Sequence, residues 1–126
     1  MKKNRKVLIV DDEPNIVMTL DYLFRRQGYA VFLARDGAEA IGLLEEEVPD
    51  LIMLDIMMPK VDGYEVCRHV RATERLAHAK VVFMSAKGRE ADIQKGLSLG
   101  ANLYIRKPFS TRELMKKVKA LFDPAA

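Results

Sequence analysis

Five short runs of mostly apolar residues, several of them β-branched, punctuate the chain at Lys6–Val10, Ala30–Ala34, Leu51–Leu54, Lys80–Met84 and Leu103–Arg106. A strand with one wet face alternates apolar and polar positions, whereas runs apolar throughout belong in a sheet covered on both sides. Between the runs the apolar period changes to that of a helix. Ile16, Leu20, Leu23 and Phe24 form one stripe, followed by Arg25-Arg26-Gln27 and a terminating Gly28. A second helix is predicted over about 38–47, stopped by Pro49, and a third over about 64–73, with Val66 and Val70 on one side. Residues 89–99 read as a fourth helix, weakened internally by Gly96 and closed by Gly100. Ser110 caps a fifth, with Glu113 at capping-box spacing and Leu114, Val118, Leu121 and Phe122 facing inward. Strand and helix thus alternate five times, the pattern of βα units around a parallel sheet, which predicts a three-layer, doubly wound α/β fold.

That architecture selects a place for chemistry. Parallel strands joined by right-handed crossovers end at one edge of the sheet, and ligands of open α/β folds bind beyond those carboxyl ends. Asp11-Asp12 follows the first strand, Asp55 the third, Ser85 the fourth and Lys107 the fifth. Residues far apart in sequence are therefore predicted to converge.

Three carboxylates in a crevice repel one another, so either one is protonated or a cation neutralises them. Carboxylate oxygens are hard ligands, and magnesium fits a site completed by water, backbone carbonyls and phosphate oxygens. Nothing suggests a zinc cluster, since His69 and His78 are poorly placed to replace the acids. Acids, a metal and the fixed charge of Lys107 suit the holding of a phosphoryl group, to which the Ser85 hydroxyl can donate. A carboxylate can itself attack phosphorus to give an acyl phosphate. Asp55 is the best candidate because it stands alone after the most buried-looking strand, while Asp11-Asp12 is better arranged to recruit metal. Blander accounts exist for each part. Asp11-Asp12-Glu13-Pro14 resembles an ordinary helix start, Asp55 could open the turn that runs through Met58-Pro59 to Asp62-Gly63, and Ser85 or Lys107-Pro108 alone would be uninformative. Their coincidence at one predicted sheet edge is what favours chemistry.

Composition narrows the partners. At 126 residues the chain fits one domain. Its longest apolar runs fall far short of the roughly 18 residues of a membrane span, and the basic start has too short an apolar run behind it for a signal peptide. Cys67 is the only cysteine, so no intrachain disulfide can form, and its apolar surroundings point to an inert buried thiol. A cytoplasmic protein is expected. The formal charge of +3 sits largely in residues 1–6 and in Arg112, Lys116, Lys117 and Lys119. Without a helix-turn-helix, zinc finger or aromatic-basic platform, these charges read as a solvated or protein-docking face, and no direct nucleic-acid binding is expected.

The motifs Val10-Asp11-Asp12-Glu13, Leu54-Asp55-Ile56-Met57-Met58-Pro59, Asp62-Gly63, Met84-Ser85-Ala86 and Lys107-Pro108-Phe109, in this order and spacing, resemble those of the response-regulator receiver domains of two-component systems, of the chemotaxis-regulator type. The resemblance spans about Arg5 to Phe122 and treats residues 1–126 as a single domain. It implies a flavodoxin-like sheet in strand order 2-1-3-4-5. It further implies that Asp55 takes a phosphoryl group from a histidine kinase or phosphotransfer protein, the domain being a signalling device rather than an enzyme. Asp12 and Asp55 would ligate magnesium or manganese directly, Asp11 largely through water, and Met57 through its backbone carbonyl. Lys107 would grip the phosphoryl group beside a cis bond to Pro108. Ser85 and Tyr104 would form the switch, moving the face made by the fourth helix, fifth strand and fifth helix, through which a downstream protein or effector domain is reached. Met57 and Lys87 occupy positions where relatives tune acyl-phosphate lifetime. One departure stands out: many DNA-binding relatives carry two acids where this chain has Asn102-Leu103, and use them in a dimer across that face, which leaves monomer and phosphorylation-dependent dimer both open. Lys95 and Glu113 could still form one of the matching pairs.

Rival readings fare worse on the residues. A phosphatase of the haloacid dehalogenase type also uses an aspartate nucleophile, magnesium and lysine, but needs an Asp-x-Asp pair where this chain has adjacent aspartates. A flavodoxin-like redox module needs a hydroxyl- and glycine-rich phosphate loop after the first strand, where Asp11-Asp12-Glu13 would repel a flavin phosphate. A receiver acting as a scaffold without phosphorylation would have lost an acid or the lysine, and none is lost. The cognate kinase, the output and any effector domain are not written in the chain, although Asp123-Pro124-Ala125-Ala126 reads as a short finished tail.

Overall fold

The apolar runs become the strands β1 (Lys6–Val10), β2 (Ala30–Ala34), β3 (Leu51–Asp55), β4 (Lys80–Ser85) and β5 (Leu103–Arg106) in a computed structural model that describes residues 4–58, 61–86 and 89–123. The helices between and after them are α1 (Pro14–Arg26), α2 (Gly37–Glu46), α3 (Gly63–Ala72), α4 (Glu90–Ser98) and α5 (Thr111–Phe122). All strands pair in parallel, in the order β2-β1-β3-β4-β5. The flavodoxin-like topology implied by the resemblance is therefore present.

Alternation within the strands divides the core in two. Val7 and Ile9 of β1, with Leu51 and Met53 of β3, pack against Leu20 and Phe24 of α1 and Leu114 and Val118 of α5. Leu8 and Val10, with Ile52 and Leu54, face the other way onto Ala40 and Leu44 of α2 and Val66, Cys67 and Val70 of α3. Burying side chains of this size contributes about 1.5–3 kcal/mol each. Every residue of β3 is buried, as expected for a central strand under both helix layers. The both-faces expectation fails on the edge strand β2, where Ala30 and Leu33 are exposed.

Local chemistry sets the helix ends. Asp36 and Asp62 accept hydrogen bonds from the amides of Glu39 and Glu65, at 2.8 and 3.0 Å, and Ser110 accepts one from Glu113. Gly28 ends α1 at φ +88°, a conformation that costs a side chain energy. Gly96, read from sequence as a weak point, has a packing reason: a Cβ there would lie 2.8 Å from the Phe83 ring. A 3-10 turn at Glu74–Leu76, which buries Leu76, carries no periodic signal and was not predicted. Among the described residues, no helix is long and apolar enough to cross a membrane.

The acidic pocket at the carboxyl edge of the sheet

Parallel register brings the strand ends level. Val10 pairs with Leu54, Asp55 with Met84, and Ser85 with Arg106, so the residues that follow β1 and close β3, β4 and β5 share one edge. Backbone bonds then fix the loops. The Asp11 amide donates to Ala34 O at 3.1 Å, Ile56 to Met84 O at 3.2 Å, and Lys107 to Ser85 O at 2.8 Å. Gly63 opens α3 directly beneath Asp55, where a Cβ would lie 2.5 Å from the Asp55 carbonyl oxygen. The convergence expected of Asp11, Asp12, Asp55, Ser85 and Lys107 is what this register produces.

Carboxylate oxygens of Asp11, Asp12 and Asp55 lie within 4.8 Å of one another, forming a cluster able to hold a metal ion. Asp11 and Asp55 are buried and Asp12 is exposed. Lys107 reaches into the same pocket with its side chain only 8% exposed. Its Nζ lies 2.8 Å from Asp11 Oδ2, 3.0 Å from Glu13 Oε1 and 3.6 Å from Asp55 Oδ1. Asp11 Oδ1 accepts the Glu13 amide at 2.9 Å, and Asp55 Oδ1 accepts the Met57 amide at 3.4 Å.

The electrostatics follow from crowding. Burial, then the charge of Asp11, raise the Asp55 carboxyl to about 6, with Asp12 adding and Lys107 and the Met57 N–H opposing. Burial draws the Lys107 ammonium down, but its contacts to Asp11 and Glu13 and the charges of Asp55 and Asp11 outweigh that and leave it raised. Asp11 Oδ2 is buried and meets Lys107 as an ion pair with no donor aligned on it. A buried carboxylate oxygen with acceptor capacity unspent, beside two further hard oxygen donors, fits a divalent cation of the magnesium class.

Ser85 is buried at the end of β4. Tyr104 is half-buried on β5, its ring 6.5 Å from that of Phe83, which in turn meets Tyr64 edge-on at 5.5 Å. The Lys107–Pro108 bond is cis. Met57, next to Asp55, is 55% exposed, and Lys87 lies outside the described residues. Cys67 is buried, with its thiol pushed up by burial and its Sγ 3.5 Å from Leu99 O. His78 faces Asp50, which is bonded to Lys6 at the other edge of the sheet. Sequence reasoning missed the reach of Glu13 to Lys107 and the Tyr64–Phe83–Tyr104 row. The adjacency of Glu13 to the aspartates was a usable signal for the first; the aromatic row depends on cross-element packing that spacing does not encode.

Fold and pocket together define a doubly wound α/β domain with an acidic cluster able to hold a cation at the carboxyl edge of its sheet. The family model for the response regulator receiver domain matches residues 7–119. A putative response regulator from Chloroflexus aurantiacus J-10-fl is 33% identical, with 94% of this chain and 98% of that one covered at a TM-score of 0.88. The receiver domain of a sensor histidine kinase from Pseudomonas aeruginosa PAO1, which has a magnesium ion coordinated in its active-site cleft, is 30% identical over 93% of this chain and 96% of its own, at 0.83. A chemotaxis response regulator of Vibrio cholerae is 28% identical, with coverage of 94% and 99% and a TM-score of 0.88. The chain belongs to the response-regulator receiver domain family of two-component signalling.

Proposed function

We propose that this receiver accepts a phosphoryl group on Asp55 from a histidine kinase or phosphotransfer protein. The observation that carries the reading is the placement of a buried Asp55 carboxylate at the end of the central strand, between the acids and 3.6 Å from the Lys107 ammonium. In the reaction an Asp55 oxygen forms a bond to phosphorus while the bond from phosphorus to the donor's imidazole nitrogen breaks. The imidazole leaves with the electron pair and takes up a proton. Asp12 and Asp55 would hold magnesium or manganese, with Asp11 acting largely through water and Met57 through its carbonyl. Such a cation supplies charge that lets the carboxylates ionise together and neutralises phosphoryl oxygens. Lys107 steadies a further oxygen as a point charge.

The signal leaves through packing. Ser85 donates to the phosphoryl group, and Tyr104 turns inward as it does so. Tyr104 is paired with Phe83 in the strand register, two residues before Ser85, and α4 rests on the same ring through Gly96. A displacement at Ser85 is thereby passed to the α4–β5–α5 surface, a two-state element biased by a new charge. Met57, exposed beside Asp55, and Lys87 would set the lifetime by admitting or screening the attacking water.

Incubation with acetyl phosphate and magnesium, followed by intact-mass measurement, tests the reading. Wild type is expected to gain the mass of one phosphoryl group and Asp55→Asn to gain none. An equal gain in both, or a gain in neither, overturns it.

A further inference from the structure

Glu13 occupies the N-cap position of α1, next to Pro14, with the extended backbone of a cap at φ −88° and ψ 112°. A shorter acid, aspartate, ordinarily accepts a hydrogen bond from the first turn at that position. The Glu13 side chain makes no such bond. It turns away from the helix and places Oε1 3.0 Å from Lys107 Nζ, across 94 residues of sequence. The Lys107 ammonium consequently rests on the Asp11 and Glu13 side of the pocket, and stands 3.6 Å from Asp55 Oδ1, beyond hydrogen-bond reach.

Glu13 accepts a hydrogen bond from the ammonium and Asp11 holds it as an ion pair, so both anchor it on their side of the pocket. A phosphoryl group on Asp55 would draw the ammonium toward its own oxygens and away from that anchorage. Asp11 and Asp55 belong to the acidic cluster itself, whereas Glu13 lies outside it, is 58% exposed and can be changed without removing a member of the cluster. We propose that Glu13 is a positioning residue that competes with the Asp55-bound phosphoryl group for Lys107, so that it lowers the affinity of the pocket for that group. The inference rests on the reading of Asp55 as phosphoacceptor. It assigns Glu13 an action on the resting state and none on the phosphorylated one.

Trifluoroberyllate, whose beryllium becomes tetrahedral on taking a carboxylate oxygen and so imitates a bound phosphoryl group, separates these statements. Affinity is measured by 19F NMR titration of the full chain at saturating magnesium, for wild type, Glu13→Gln and Glu13→Asp. Gln removes the charge, and Asp keeps it but is one methylene too short for the 3.0 Å contact. Both variants are expected to bind about two- to fivefold more tightly than wild type, the range for loss of one partly exposed ion pair. The fluorine resonances of the bound state stay as in wild type, because the released Lys107 meets the anion in the same way; disturbed packing would move them. If Glu13→Asp matches wild type while Glu13→Gln tightens, bare charge repulsion is acting and the positioning role is wrong. It is equally wrong if neither variant tightens or if the bound resonances change. Failure of wild type itself to bind would instead overturn the phosphoacceptor reading, and this inference with it.

Discussion

Replacing Asp55 by asparagine is expected to stabilise the cation-free protein near neutral and alkaline pH and to do much less in acid. Burial and the neighbouring acids hold the Asp55 carboxyl at about 6, against an ordinary 3.8. Between those values the folded chain keeps a proton that the unfolded chain has released, so stability falls as pH rises through the window. Below it the carboxyl is protonated in both states and carries no cost; above it the whole cost is present. A displacement of that size corresponds to about 3 kcal/mol. Asparagine retains the shape and an acceptor for the Met57 amide but has no charge to desolvate. The variant should therefore gain about 3 kcal/mol at about pH 8 and only about 1 kcal/mol at about pH 4.5. Urea unfolding in the presence of a chelator, followed by far-UV circular dichroism, would show midpoints about 1.5 M and about 0.5 M higher, for a slope of about 2 kcal/mol per molar. Magnesium should close the gap at the higher pH, because it stabilises the carboxylate form that wild type alone presents in full. An equal gain at both pH values refutes the charge-crowding argument. So does a variant less stable than wild type at the higher pH.

Substitutions at two further positions probe the scaffold at either edge of the sheet. Gly63→Ala puts a Cβ 2.5 Å from the Asp55 carbonyl oxygen and 2.8 Å from Ile56 Cα, backbone that cannot rotate away; a loss of about 1–3 kcal/mol in urea unfolding is expected, exceeding the about 0.4–1 kcal/mol that alanine gains over glycine in the unfolded chain. At the opposite edge, Asn102 Oδ1 accepts the Val81 amide at 2.8 Å and Arg71 Nη2 at 2.9 Å; Asn102→Ala orphans that buried amide and should cost about 1–3 kcal/mol, while Asn102→Asp keeps the acceptor and should cost less than alanine in the same unfolding assay.

How far the sequence could be read depended on what fixes each feature. The strands at Lys6–Val10 and Leu103–Arg106 agree with their predicted bounds residue for residue, because apolar runs between turn residues are a local signal. The predicted bounds of α2, α3 and α4 lie within a residue of those found, since helical periodicity and stops such as Pro49 and Gly100 are local as well. The pocket was legible for a different reason: parallel strands force their carboxyl ends together, so order along the chain was enough to gather Asp11, Asp12, Asp55, Ser85 and Lys107. What escaped was contact between elements. The direction of the Glu13 side chain, the seat of Gly96 on Phe83 and the exposure of Leu33 on the edge strand all depend on which element lies next to which.

The same dependence bears on the face made by α4, β5 and α5. Paired acids at positions 102 and 103 would present carboxylates for a dimer, but here an amide and a leucine stand there. The amide is already engaged: Arg71 grips its oxygen while bonding Gly100 O at 2.9 Å and Ala77 O at 3.1 Å, so that one guanidinium ties the end of α3 to the start of β5. Lys95, the cation that one surviving ion pair would need, lies over the Tyr64 ring with Nζ 4.2 Å from its centroid. Drawing it to a partner chain would forfeit a cation–π contact of about 0.5–1 kcal/mol, comparable to what an exposed ion pair returns. A charge-paired dimer across α4, β5 and α5 thus has little to gain in this chain. Tyr64 also meets Phe83, and Phe83 lies between it and Tyr104. Lys95 therefore sits on the aromatic row that joins α3 and α4 to β4 and β5 within its own chain.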